Sequence, residues 1–212
     1  MSFYELDAKS TLQPAQQLVA KDKDGAKQAE KVSDHGPGPV ADDELLARSL
    51  EYPNKYLNTG GLNDSMFQDA FSFGASAQRL LPNWEARSAD VHAGFEARAR
   101  ARREGSNGRA VAPNNLYIGA FQMTAGELRG CGLDGDNGLR VRVYDHGEAS
   151  DELHAEIVVD ATGLGKPQRH ELRVRLMTLA QQRGLYVSPH LPPEEVKRAE
   201  ETQCALIMPP AA

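Results

Sequence analysis

A histidine and a glutamate in the C-terminal half of the chain are spaced for acid–base chemistry. Residues 153–159 (LHAEIVV) predict a β-strand, in which successive side chains point to opposite faces. His154 and Glu156 therefore share one face, where the carboxylate would raise the imidazole pKa and form a general acid–base pair. That face could line a cleft, or it could be the solvent-facing side of a half-buried strand.

Two earlier residues extend this set. Arg48 lies in a predicted strand and Ser76 in a small-residue segment, SFGAS at 72–76. The order arginine, serine and glutamate on successive strands is similar to the arrangement of some ADP-ribosyltransferases, although the family's fuller serine-strand motif is absent. The resemblance implies that Arg48 holds the phosphates of NAD, Ser76 braces the site and Glu156 acts on the ribose. A hydrolase that uses His154 and Glu156 is the other enzymatic interpretation.

The densest positive charge lies on one predicted helix, residues 88–104, whose inward positions are Val91, Phe95 and Ala99. The candidate binding residues on its other face are Arg98, Arg100, Arg102 and Arg103. Such a run could dock a phosphate backbone, but no aromatic residues are interleaved with it. The net charge of −6 also argues against a nucleic-acid binder. We expect these arginines to pair with acidic groups of this chain or of a partner.

Two glycine-rich segments are turns and not ligand loops. GLGK at 163–166 has the wrong glycine spacing for a P-loop, and Pro167 replaces its hydroxyl residue. DGDNG at 134–138 places glycine at the fifth position, where a calcium loop needs an oxygen ligand. Cys131 and Cys204 form neither a disulfide framework nor a zinc pattern. We therefore predict no metal and no cofactor.

The element pattern predicts an α+β fold. A strand with Val141 and Val143 on one face is followed by the strand at 153–159 and by a helix that Pro167 opens and Gly184 ends. The apolar stripe of this helix is Leu172, Leu176, Leu179 and Ala180. Further strands are predicted near 48–52, 71–77, 116–121, 185–188 and 204–208. Because the strands and helices follow no regular βαβ rhythm, we expect a small mixed or antiparallel sheet with a few packing helices.

Residues 1–40 predict a flexible N-terminal arm, and residues 41–212 predict a single α+β domain. Residues 16–31 are rich in Gln, Lys, Asp and Ala and hold few large apolar side chains, and HGPGP at 35–39 then breaks the chain. Trp84, the one tryptophan, is expected to anchor the core. An exposed edge strand at 116–121 or 204–208 would allow a homodimer.

The function predicted from these features is that of a non-enzymatic binding or accessory module in a cytoplasmic multi-protein system. The arm and the basic helix are its candidate contact surfaces for a protein partner. The cytoplasm is indicated by the absence of a secretory or membrane-spanning apolar run and by the two isolated thiols. A small enzyme of the ADP-ribosyltransferase or hydrolase type remains the alternative, so the sequence leaves enzymatic activity open.

Overall fold

The computed structural model describes residues 3–53, 61–80, 82, 88–105, 111–135 and 139–208. The strands are β1 (Leu45–Tyr52), β2 (Ala75–Leu80), β3 (Leu116–Thr124), β4 (Val141–Asp145), β5 (His154–Val159), β6 (Leu185–Val187) and β7 (Leu206–Ile207). The α-helices are α1 (Pro14–Lys21), α2 (Asp69–Ser72), α3 (Ser88–Glu104), α4 (Ala125–Arg129), α5 (Lys166–Gln182) and α6 (Val196–Glu200). Short 3-10 turns cover Ala26–Ala29, Asp64–Phe67 and Pro193–Glu195. The predicted core position of Trp84 lies outside the described residues.

The strands form one sheet in the order β4-β5-β2-β1-β3-β6-β7. Neighbouring strands are antiparallel, except for the parallel pair β6 and β7. The α+β class and the mixed sheet are confirmed, but the prediction of a small sheet is wrong, because the described residues contribute seven strands. All seven join one sheet, and β1 starts at Leu45, before the predicted start at residue 48, and pairs with β2 and β3. Hydrogen bonding of β1 to a strand on each side outweighs the weak conformational preference of its own residues.

One face of the sheet is covered by a continuous apolar core. Strand alternation points Val141, Val143, Ile157 and Val159 into it, as predicted. The same core contains the buried stripe of α5 and residues of α2, α4, α6 and the Asp64–Phe67 turn. Gly184, directly after α5, has a φ of 81°, which glycine adopts without a Cβ penalty. We call this side the covered face.

The opposite face carries two separate apolar patches. Helix α3 covers β1 and β3 with Phe95 and Ala99, which contact Ala47, Tyr117 and Ala120. This confirms the predicted bounds and inward residues of the helix. The N-terminal segment covers β4 and β5, where Leu18 and Val19 pack on Tyr144 and Val158. Because the two patches do not meet, no element of the described residues covers part of the central sheet, and we call this side the open face.

The described part of the N-terminal arm, residues 3–40, packs closely on the sheet. Pro14 starts α1, which buries Ala15, Leu18 and Val19. Tyr144 donates a hydrogen bond of 2.7 Å to Asp22, and the buried Arg142 donates to the Asp22 carbonyl. These contacts give little support to the prediction of a flexible arm, since three apolar residues and a buried polar network suffice to dock it.

The two ends of the sheet differ. Near β4, the Val143 amide donates to Gln28 and Arg129 donates to the Val143 carbonyl, so residues from outside the sheet satisfy this edge. β7 forms the other edge, within the predicted segment 204–208. The alternative edge at 116–121 is wrong, because β3 lies between β1 and β6. None of the helices in the described ranges is long and apolar enough to cross a bilayer.

Candidate binding cleft on the open face

A polar cleft occupies the gap in the open face. Helix α3 forms one wall, the loop before β5 forms the other, and β1, β2 and β5 form the floor. Its volume of about 640 Å³ lies in the range of small-molecule sites. The residues that line it on α3 are Gly94, Phe95, Arg98 and Arg102, and on the loop and β5 Glu148, Ser150, Asp151 and His154. The remaining lining residues are Arg48, Ser49, Glu51, Asp69, Gly74, Ser76, Ala77 and Gln78.

The floor is polar and open at the middle of the sheet. Ser76 and Gln78 of β2 pair in register with Glu156 and His154 of β5. Ser76 is exposed although its strand is third in a sheet of seven. A residue on an internal strand is exposed only where no helix or loop covers the sheet. Ser76 therefore marks the place where a ligand can reach the sheet.

An ion pair joins the two walls. Arg98 Nη1 lies 3.1 Å from Asp151 Oδ2, and Gln78 Nε2 donates to Asp151 Oδ1 at 3.1 Å. The Arg98 guanidinium also stacks on the Phe95 ring, 4.7 Å from its centroid. These contacts link α3 to the loop and to the floor, and the Asp151 carboxylate balances the positive charge of Arg98.

A second pair closes the far end of the cleft. Arg102 Nη1 lies 2.6 Å from Glu51 Oε2, which also accepts a hydrogen bond of 2.7 Å from Asn115. Ser49 donates to the other oxygen of Glu51 at 3.2 Å. Glu51 is buried, and donors on both of its oxygens compensate for the lost hydration. The guanidinium of Arg102 is therefore paired with a carboxylate of the same chain.

The other two arginines of the basic helix point elsewhere. Arg103 donates to the Asn115 carbonyl at 2.9 Å, and Arg100 is exposed. Neither lines the cleft. The four arginines predicted as one binding surface are thus divided, with Arg98 and Arg102 in ion pairs, Arg103 on a carbonyl and Arg100 towards solvent.

Arg48 is adjacent to the cleft, but its guanidinium is used on the covered face. Arg48 shares a strand face with Leu46 and Leu50, which belong to the covered core. It donates to the Met66 carbonyl through Nε at 3.0 Å and to the Ser76 carbonyl through Nη1 at 2.6 Å. Burial lowers the pKa of the guanidinium to about 10, so it stays charged at neutral pH. The predicted set of Arg48, Ser76 and Glu156 is therefore close in the sheet, but its side chains are on different faces.

Glu156 sits beside the cleft and not among its lining residues. Its Oε2 lies 3.2 Å from His146 Nδ1, close enough for an ion pair although the angle does not make a hydrogen bond. Tyr4 of the arm stacks on His146 with ring centroids 3.8 Å apart. On its other side Glu156 packs against Gly74, where a Cβ would lie 1.9 Å from Glu156 Oε1. The carboxylate is thus held between the arm and Gly74, at the border of the cleft.

His154 is the member of the predicted acid–base pair that reaches the cleft. Its ring stacks on that of His146 at a centroid distance of 5.0 Å. Burial, and then the neighbouring His146, lower the pKa of His154 below its usual value, so its imidazole is neutral at neutral pH. Glu156 raises this pKa, as expected, but burial and His146 lower it by more.

Sequence reasoning missed four important residues of this region. Glu51 and Asp151 pair with arginines of α3, and Tyr4 and His146 enclose Glu156. Their roles depend on contacts between distant segments, for which a single sequence carries no signal. Gly94 was detectable, because a glycine in the interior of a predicted helix costs stability.

The described residues contain no group of three or more His, Cys, Asp and Glu side chains that could hold a metal ion. No protein-family model, curated protein or solved structure matches the chain. The chemistry of the cleft therefore carries the functional inference.

Proposed function

We propose that this protein is a non-enzymatic binding module, an accessory component of a cytoplasmic multi-protein system, and that the cleft is its binding site. The observation that carries the proposal is the exposed Ser76 on an internal strand at the floor of the cleft. A sheet whose centre is uncovered buries less apolar surface than one that a further helix or loop covers, and it is less stable for that reason. A bound ligand or partner would fill this gap.

The positions of the candidate catalytic groups favour binding over catalysis. A general acid and a general base must both come within hydrogen-bond reach of the reacting group. His154 lines the cleft, whereas Glu156 is not among its lining residues and lies at its border, against His146 and Gly74. A substrate in the cleft would thus meet a neutral imidazole without the carboxylate partner.

The hydrogen bonds and ion pairs that the arginines already form argue against NAD as the ligand. A dinucleotide needs cationic or backbone donors for its pyrophosphate. Arg48 uses its donors on two carbonyls, and Arg98 and Arg102 are paired with carboxylates. A phosphate would have to share each guanidinium with the carbonyl or carboxylate that it already binds.

An enzyme remains the second candidate, supported by one observation. Arg48, Ser76 and His154 all border the cleft, and Glu156 is the register partner of Ser76. A small movement of the Tyr4 segment would be needed to bring Glu156 into contact with a substrate. This candidate requires a measurable turnover that depends on Glu156.

The proposed compartment is the cytoplasm, and a protein partner belongs to the proposal. Cys131 and Cys204 are both free thiols, as expected in a reducing environment. A homodimer through β7 would be one way to form an assembly.

The test is capture of the tagged protein from its native source, followed by mass spectrometry of bound proteins and small molecules. Wild type and Glu156→Gln are compared, because glutamine keeps the shape of the side chain and removes its charge. The proposal predicts the same bound species in equal amounts on both proteins. A nucleotide or NAD fragment that changes in the mutant, or turnover that the mutant abolishes, would establish the enzyme instead.

Thermal unfolding of Glu156→Gln provides the control for folding. The substitution removes one ion pair with His146, and we expect a small decrease in the melting temperature, with unchanged circular dichroism. A variant that loses all bound species together with its fold would be replaced by His154→Gln, which tests the cleft histidine by the same comparison.

A further inference from the structure

We infer that the cleft binds an uncharged small molecule rich in hydroxyl or amide groups, of the size of a sugar or a nucleoside. This inference rests on the proposed function, since it names the class of ligand that the module takes. It is carried by the chemistry of the floor, the pairing of the charged groups on the walls and the space above Gly94.

The floor offers neutral hydrogen-bonding groups. Ser76 and Gln78 supply a hydroxyl and an amide, each of which can both donate and accept. His154 adds an imidazole that is neutral at physiological pH and can donate through one nitrogen and accept through the other. Ligand hydroxyl groups match such a surface, because they also donate and accept.

The charged groups of the cleft do not favour an anion. Among the described lining residues, the arginines are Arg48, Arg98 and Arg102, whose contacts with carbonyls or carboxylates are given above. The exposed carboxylates of Asp69 and Glu148 also border the cleft and would repel a phosphate. A neutral ligand avoids this repulsion and leaves the ion pairs of the walls intact.

Gly94 provides room for close approach to the helix. A glycine inside a helix costs roughly 0.5–1 kcal/mol relative to alanine. Apart from the backbone of its own helix and the two adjoining residues, no atom of the described residues lies within 4 Å of the Cβ that another residue would place there, so packing against them does not require a glycine. Gly94 is exposed and lines the cleft. The space that its missing side chain leaves is therefore available to the ring of a ligand.

The size of the cleft agrees with this class of ligand. A volume of about 640 Å³ accommodates a monosaccharide or nucleoside together with bridging waters.

The test measures binding of defined probes to the full chain by thermal shift and calorimetry. The neutral probes are glucose, myo-inositol and adenosine, and the charged probes are AMP and NAD. Adenosine and AMP form a matched pair that differs by one phosphate. We expect at least one neutral probe to raise the melting temperature, and we expect AMP to bind more weakly than adenosine.

Three variants locate the binding. Gly94→Trp fills the cleft from α3 and should abolish binding, whereas Gly94→Ala adds one methyl group and should retain it. Ser76→Ala removes a hydroxyl from the floor and should weaken binding by about 3- to 10-fold, the effect of one hydrogen bond. Circular dichroism of each variant establishes that it is folded.

The results that would overturn the inference are specific. They are a lack of binding by every neutral probe, tighter binding of AMP than of adenosine, or neutral binding that Gly94→Trp leaves unchanged. If one of these results is found and the captured complex still forms, the inferred class of ligand is wrong, but the proposed function as a binding module is retained. Release of nicotinamide from NAD in a Glu156-dependent reaction would remove the proposed function as well.

Discussion

The two faces of the sheet use side chains in different ways. On the covered face, α5 and shorter elements bury a continuous apolar cluster. On the open face, α3 and the N-terminal segment bury two small patches with a polar cleft between α3 and the loop before β5. The covered face supplies most of the apolar burial that stabilises the fold, which leaves the open face able to keep exposed polar groups for binding.

Two ion pairs, one on each face, differ in their exposure to solvent. Arg79 of β2 lies 3.0 Å from Asp145 and 2.5 Å from Glu44, and both Arg79 and Asp145 are buried. Arg98 and Asp151, at 3.1 Å, remain partly exposed at the cleft. Pairs of similar length therefore differ in how much solvent screens them, and removal of one partner should have unequal consequences.

The largest expected effect is that of Arg79→Ala. The substitution leaves the fully buried Asp145 carboxylate without its cation, and loss of one partner of a buried pair costs about 3–5 kcal/mol. Denaturant unfolding measures the change in the free energy of unfolding. A loss below about 1 kcal/mol would show that the buried pair is no more important than a surface pair.

The next effect is a pH dependence from His92, a buried residue of α3. Burial, and then the nearby His190, lower the pKa of His92 to about 4, below its unfolded value of about 6.5. The unfolded chain therefore binds the proton more readily between these values. The resulting stability is complete above pH 6.5 and is lost as the pH falls towards 4, by at most about 3 kcal/mol.

Unfolding of His92→Gln at several pH values checks this contribution. Nδ1 of His92 lies 2.8 Å from the Tyr117 hydroxyl, and glutamine can keep a polar contact there without titrating. The variant should lose less stability than wild type between pH 6.5 and pH 4. Equal slopes for the two proteins would mean that His92 does not titrate as described.

A smaller effect of opposite sign is expected for Gly94→Ala. Alanine removes the conformational cost of a glycine inside a helix, and its Cβ meets no protein atom. The free energy of unfolding should increase by about 0.5–1 kcal/mol in the absence of ligand. A decrease would show that α3 requires glycine at this position for a reason internal to the fold.

The smallest effect is expected for Arg98→Ala. Partly exposed ion pairs contribute about 0.2–1 kcal/mol, because water and salt screen them. The change should also become smaller in 1 M salt, where Arg79→Ala should keep most of its effect. A loss as large as that of Arg79→Ala would remove the distinction between the two faces.

The sequence predicted the elements with a clear period. The apolar stripe of α5, the alternation of β4 and β5 and the inward residues of α3 follow directly from residue spacing. The docking of residues 3–40 was not predictable, because it depends on a few contacts such as those of Leu18 and Tyr144. The strands at 48–52 and 71–77 were predicted, but their observed bounds differ, because pairing across the sheet determines where β1 and β2 start and end.

The candidate site was predictable only in part. Strand alternation placed His154 and Glu156 on one face, and the register of β2 and β5 brings Ser76 and Gln78 beside them. Alternation could not show that Glu156 would be held by His146 under Tyr4. The carboxylates that pair with Arg98 and Arg102 are distant in sequence, so these ion pairs could be identified only from the three-dimensional structure.

The most direct test of the central claim compares Gly94→Trp with Gly94→Ala in capture from the native source. Both variants change the same residue, but only tryptophan fills the cleft. If the cleft is the binding site, Gly94→Ala retains the bound species at the wild-type amount and Gly94→Trp, folded by circular dichroism, loses them. Equal retention by both variants would show that binding occurs elsewhere and would contradict the assignment of the cleft.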